Sequence, residues 1–375
     1  MSQTKLHELS DLGQSLWLDY ISRPLLETGA LQKWVDDGLR GMTSNPSIFN
    51  QAISQSKDYD QKISQLKTAG KTTFEIYDEL TIRDIQEACD ILKPVYESTK
   101  GLDGYVSLEI NPQLANDTNA SIKEGQRLYT KADRANIMIK VPATAAGYSV
   151  VEELIANGIN VNVTLIFSLK QYENTVNAFL KGLERLSQGQ GDLSKIASVA
   201  SVFVSRLDNT VDDLLDKKTL TVSQKEKLAF LKGKAAVANC QMVYSKAIEF
   251  RKGSRFQNLS AKGARFQRVL WASTSTKNPA YSDVKYIDEL IAANTVNTVP
   301  EKTLKAFMDH GSTKVALNGG EAGGAGLVLM DLNTQGIDVD EICRKLLADG
   351  VVAFEKAFAE LIQSIETKAA ALVTK

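Results

Sequence analysis

The sequence predicts an α/β protein built as a single (β/α)8 barrel with extra helices, one of them long and C-terminal. Three observations predict it. Eight short β-like runs recur from about Leu16 to Val299. Longer stretches with helical spacing separate them, as the crossovers of a parallel sheet require. Several runs also carry a polar or charged residue at or near their C-terminal end, where a barrel gathers its functional groups. An open doubly wound sheet satisfies the same alternation and is the competing architecture.

In chain order the runs are Ser15–Asp19, Leu39–Thr43, Tyr105–Glu109, Ile137–Val141, Val161–Phe167, Ser198–Val204, Arg268–Ala272 and Asn294–Val299. Between them, Thr73 to Tyr96 carries apolar residues at helical spacing, with Pro94 near its end. Val222 to Arg251 is rich in Lys, Ala and Leu and reads as one or two surface helices before the seventh run. Its charges read as a solvated face. The expectation is therefore one domain over residues 1–375 with a helical insertion around 207–265. The segment Asn318 to Gly326 holds five glycines, yet it has neither the dinucleotide fingerprint nor the Lys-Ser/Thr ending of a P-loop. It reads as a flexible loop. From Ile337 to Lys375 the chain reads as helix, with Asp338 or Asp340 as N-cap. Phe354, Phe358, Leu361, Ile362 and Ile365 recur there at helical spacing and are expected to pack on the barrel.

Composition narrows the function. The 375 residues are 43% hydrophobic and 24% charged, ordinary for a globular protein able to bury a sizeable core. Lys and Arg total 44 against 45 Asp and Glu, so no basic excess points to nucleic acid. No apolar stretch is long enough to span a bilayer, and the N-terminus lacks the pattern of a secretory signal. The three cysteines, Cys89, Cys240 and Cys343, are odd in number and far apart, which suggests neither disulfides nor a metal knuckle and fits a cytoplasmic setting. With only His7 and His310 present, zinc catalysis and histidine triads are disfavoured. No apolar stripe is plainly left over to set an oligomeric state.

The sharpest chemical signal is Lys140, flanked by Ile137-Met138-Ile139 and Val141-Pro142. An apolar setting disfavours the ammonium form. In water at neutral pH only on the order of one lysine in a few thousand is neutral. Only the neutral amine attacks a carbonyl, so burial is the expected activation. Asp19 and Glu109 end two other runs and are candidate proton carriers, or ion-pair partners of Lys140. Asn162 and Thr164 lie two apart in one run and so face one side. Asn45 precedes Pro46, which restricts it to an extended backbone. Ser201 and Arg206 flank the end of the sixth run, where arginine suits a phosphate by paired hydrogen bonds. Lys277, after the seventh run, offers a second positive charge.

In combination these residues resemble a known family. Gly41-Met42-Thr43-Ser44-Asn45-Pro46-Ser47-Ile48-Phe49 resembles the first transaldolase signature. Ile137-Met138-Ile139-Lys140-Val141-Pro142-Ala143-Thr144-Ala145-Ala146-Gly147 resembles the second. The resemblance spans nearly the whole chain and looks most like the longer bacterial members, with the segment Trp271 to Pro279 as a further mark. It implies a Schiff base on Lys140, an acid–base role for Asp19, and a catalytic water held by Glu109 and Thr164. It implies that Asn45 and Asn162 bind hydroxyls of a dihydroxyacetone unit and that Ser201 and Arg206 hold a phosphate. The implied reaction moves that unit from sedoheptulose 7-phosphate to glyceraldehyde 3-phosphate, in the non-oxidative pentose phosphate pathway, with no metal and no organic cofactor. Two departures concern the phosphate: Lys277 stands nearest to where many members carry a second arginine, and Ser205 stands where many carry glycine. The alternatives are a class I aldolase that releases free dihydroxyacetone, and a non-catalytic barrel that only binds.

Overall fold

Eight parallel strands pair in chain order, and the eighth returns to the first, closing a barrel. They are β1 (Gln14–Asp19), β2 (Gly41–Thr43), β3 (Tyr105–Glu109), β4 (Ile137–Pro142), β5 (Val161–Ile166), β6 (Ser198–Phe203), β7 (Arg268–Ala272) and β8 (Thr295–Val299). All eight expected runs are strands, and closure settles the choice against an open sheet. The computed structural model describes residues 3–218, 228–317, 319 and 322–373.

The strands are buried on both faces, which explains their near-continuous apolar reading. Side chains alternate between the lumen and the helical shell. Residues level with one another on neighbouring parallel strands point the same way. Glu109, Lys140 and Asn162 are level across β3, β4 and β5, and Asp19 is level with Thr43 across β1 and β2. β2 starts at Gly41, two residues later than its expected run; Gly41 lies against Trp17, and a Cβ there would sit 2.6 Å from the indole ring.

The helix over Thr73 to Tyr96 extends to Ser98 and runs through Pro94. Pro94 removes one helical hydrogen bond but is exposed, so water can take the freed carbonyl. Between β6 and β7 lie helices Ser205–Asp216, Ala235–Lys252 and Ser254–Ser260. The expected start of this helical stretch at Val222 falls outside the described residues, as do Asn318, Gly320 and Glu321 of the glycine-rich segment. The loop expectation for the rest of that segment is corrected: Gly323 to Gly326 open a helix, Gly323–Thr334. Packing against Ala235–Lys252 and burial of Leu332 override the poor helix propensity of glycine.

The last helix, Val339–Val373, has 35 residues. It is roughly 50 Å long at 1.5 Å per residue. Asp338 caps it, accepting from the Glu341 N–H at 2.9 Å. Cys343 Sγ touches the Phe167 carbonyl at the end of β5, at 3.2 Å. Farther along, Phe358 meets Tyr77 edge-on, Ser364 bonds Asn50 and Lys368 pairs with Asp60. The helix therefore crosses the C-terminal mouth of the barrel. Phe354, Phe358, Leu361 and Ile365 are buried beneath it, and Ile362 is partly buried. Among the described residues no helix is long and apolar enough to cross a membrane.

Candidate active site

A cavity of about 260 Å³ opens at the C-terminal mouth. Asp19, Thr43, Asn45, Lys140, Thr164, Ser201, Arg206 and Lys277 all contribute to its lining. Seven of these eight are candidates from sequence, drawn from six different βα units. Glu109 and Asn162, the remaining candidates, lie just beyond that lining.

Lys140 occupies the lumen face of β4 and is 5% exposed. Its Nζ lies 3.5 Å from Glu109 Oε2 and donates to the Ser44 carbonyl at 3.2 Å. A charge this deep needs such partners, because burial without them costs several kcal/mol. Burial pushes the Glu109 carboxyl up to about 7; the Lys140 charge opposes the rise and Asp19 adds to it. Burial likewise raises Asp19, against the Lys140 charge and the Thr43 hydroxyl, which donates to Asp19 Oδ1 at 2.7 Å. Thr43 in turn shares a 2.7 Å hydrogen bond with Thr298 of β8. The result is a lysine between two carboxyl groups that both tend to keep a proton. Such a trio can exchange protons with a bound carbonyl compound.

Asn45 caps the helix Pro46–Ser54, and its Oδ1 accepts from the Ile48 N–H at 3.1 Å. Capping fixes the amide and leaves its NH2 for the cavity it lines. Thr164 is fully buried, and among the described residues its Oγ1 has no hydrogen-bond partner; Glu109 Oε2 has only the 3.5 Å ion-pair contact with Lys140. The next residue, Leu165, has φ +60°, and the β5–β6 register shifts between Val163 and Ile166. Such a bulge re-aims neighbouring side chains. Asn162 sits one layer down. It donates to Ser107 Oγ at 3.0 Å and accepts from Ser201 Oγ at 2.6 Å. It meets the cavity through Ser201.

Arg206 lies in the first turn of the helix after β6, with its guanidinium 5.3 Å from the Phe203 ring centroid. Partial burial lowers its pKa, and among the described residues no carboxylate pairs with it. Lys277 stands exposed at the rim, also without such a pair among the described residues. Ser205 and Ser273 line the same cavity, Oγ to Oγ at 3.1 Å. Two cations and several hydroxyls make this side of the cavity a fit for an anion.

Sequence reasoning did not single out Asn209, Ser273, Ser275 or Thr298, and expected Phe354 only as a packing residue; all five line the cavity. Asn209 falls one turn after Arg206, a spacing that a helix reading of this segment would have exposed. Phe354 carried no usable signal, because its helical spacing is that of an ordinary core residue.

One outcome depends on Glu109 alone. Its carboxyl is raised from 4.5 to about 7, so the folded state favours the protonated form. That stabilisation is complete below the ordinary carboxylate range and is lost as pH rises through about 7. Glu109→Gln is expected to remove this component. Melting temperatures of both proteins across that interval should show the parent falling relative to the variant; parallel curves would contradict the raised carboxyl.

A closed parallel barrel with a buried lysine and two carboxyl groups at its C-terminal mouth defines a class: barrel enzymes equipped for carbonyl chemistry on lysine. Residues 16–365 match the family described as transaldolase/fructose-6-phosphate aldolase. The chain is 46% identical to a protein named transaldolase from Trichodesmium erythraeum (strain IMS101), with 98% of each chain covered. It is 45% identical to "Transaldolase 2" of Nostoc sp. (strain PCC 7120), again over 98% of each. It is 42% identical to a transaldolase of Saccharopolyspora erythraea, over 97% of each. The chain belongs to the transaldolase/fructose-6-phosphate aldolase family and is an enzyme of the transferase class.

Proposed function

We propose that this enzyme moves a dihydroxyacetone unit from sedoheptulose 7-phosphate to glyceraldehyde 3-phosphate through a Schiff base on Lys140. The products are erythrose 4-phosphate and fructose 6-phosphate. The observation that carries the reading is Lys140 at the cavity floor, between carboxyl groups from β1 and β3. The Lys140 amine adds to the donor ketone, and loss of water gives the iminium. Glu109, with Thr164, handles the protons of that water. Asp19 takes the proton from the hydroxyl next to the breaking carbon–carbon bond. Cleavage releases the aldehyde and leaves a three-carbon enamine on Lys140. The enamine carbon attacks the acceptor aldehyde, Asp19 returns its proton to the new alkoxide, and water frees the product.

Asn45 donates to a hydroxyl of the three-carbon unit, while Asn162 acts through Ser201. Arg206 and Lys277, both on the cavity lining, hold the phosphate. The whole chain serves as one catalytic domain, with 207–265 as an insertion. A single buried apolar cluster running from Leu6 to Ala369 supports that unity. A reducing cytoplasm suits the three cysteines, which are free and buried.

Trapping tests the reading. Fructose 6-phosphate and borohydride should leave a reduced three-carbon adduct on the peptide containing Lys140, with little free dihydroxyacetone. The same adduct with steady release would instead favour aldolase action, and a folded protein with no adduct from either ketose phosphate would refute the Schiff base. For the anion site, Arg206→Ala is expected to raise KM for phosphorylated donors by about 10²-fold, the worth of a lost charge-assisted pair. Unphosphorylated fructose should be little affected, and an equal loss for both donors would place the phosphate elsewhere.

A further inference from the structure

We infer that Phe354, carried by the C-terminal helix, determines how the three-carbon intermediate is partitioned between transfer and release as free dihydroxyacetone. The inference rests on the Schiff-base reading above.

The ring centroid of Phe354 lies 5.6 Å from Lys140 Nζ, within range of a cation–π contact. The side chain is 7% exposed. It lines the substrate cavity on one side. On the other it lines a second, small cavity of about 10 Å³, shared with Glu109, Pro142, Leu165 and Val351. That volume suits about one water molecule. The ring is thus a partition: substrate and Lys140 lie on one face, and a narrow, mostly apolar space beside Glu109 lies on the other.

Its position is fixed at both ends. One turn earlier, Gly350 rests on Leu165; a Cβ there would lie 2.9 Å from Leu165 Cδ2. Leu165 is itself held in the β5 bulge beside Thr164. One turn later, Phe358 meets Tyr77 at 5.2 Å with ring planes at 89°. Phe354 therefore has little freedom to swing out of the mouth.

The chemistry makes this wall consequential. Release requires protonation of the enamine carbon, which restores the iminium. Water then adds to the iminium carbon and loses a proton, and the carbinolamine expels the Lys140 amine as free dihydroxyacetone departs. Transfer requires neither step before the new carbon–carbon bond forms. An apolar ring against the nitrogen limits water at that stage and lets the acceptor aldehyde arrive first. Cutting the ring back joins the two cavities and admits several waters.

The test supplies fructose 6-phosphate as donor and erythrose 4-phosphate as acceptor. It measures free dihydroxyacetone against sedoheptulose 7-phosphate in the same reaction. The ratio is internal to each sample, so a loss of folded protein does not move it. Phe354→Ala is expected to raise release over transfer by at least about tenfold, as a water-excluding wall implies. Phe354→Val, a smaller cut that is easier to fold, should shift the ratio the same way by less. Phe354→Leu, which keeps apolar bulk, should stay near the parent. An unchanged ratio in Phe354→Val or Phe354→Ala, with borohydride still trapping the adduct on Lys140, overturns the inference alone. Absence of the adduct in the parent overturns the underlying reading.

Discussion

Lys140→Met is expected to lower turnover by at least about 10⁴-fold while leaving the barrel folded, since nothing else replaces a covalent nucleophile. Methionine matches the length and apolar stem of lysine but has no amine to add to a carbonyl. The structural cost should be moderate for a specific reason. Lys140 and Glu109 are 3.5 Å apart with side chains only 6% and 4% exposed. Breaking a buried pair ordinarily costs about 3–5 kcal/mol because one charge is left stranded. Here the survivor is a carboxyl already pushed up to about 7 by burial. Without the lysine beside it, Glu109 takes up a proton at neutral pH and strands no charge. Turnover, borohydride trapping and circular dichroism on the same preparation would check this. Appreciable transfer by folded Lys140→Met would remove Lys140 from the mechanism.

Asp19→Ala should stall the reaction at a different point, with turnover lower by about 10²–10⁴-fold, the usual worth of a positioned acid–base group. Schiff-base formation should survive, because Lys140 and Glu109 remain. The burial that raises Asp19 suits it to accept a proton during cleavage and return it during bond formation. Thr43 should stay in place without it, held by Thr298 at 2.7 Å. The observable is the mass of the trapped adduct. Fructose 6-phosphate should leave the intact six-carbon chain on Lys140 in the variant, against three carbons in the parent. A three-carbon adduct formed at the parental rate would reassign the cleavage base.

Much of this was legible in the linear sequence. Eight runs with helical connections predicted the strands because buried parallel strands must be short, apolar and separated by crossovers. The two signatures placed Lys140 and Asn45, and strand-end positions placed Asp19 and Glu109, because a barrel collects such ends at one mouth. Local rules misjudged one segment. Glycines at 323–326 predicted a loop, yet packing supplied what helix propensity lacked. The helix expected over Thr73 to Tyr96 formed through Pro94, whose exposed position makes the lost hydrogen bond tolerable.

What the sequence by itself determined is the set of chemical groups and their strand order: a lysine in an apolar strand, carboxyl groups at other strand ends, and cations beyond two more. Those follow from side-chain chemistry and from the period of buried strands, both of which are local. What only the tertiary structure decided is how the groups meet. Closure of β8 on β1 brings Thr298 to Thr43 and Asp19. Asn162 is level with Lys140, yet its amide is taken up by Ser107 and Ser201 instead of lining the cavity. Phe354 reaches Lys140 across 214 positions of chain because a helix crosses the mouth. Register, closure and long-range docking depend on the packing of every neighbour at once, and no window of sequence contains that information.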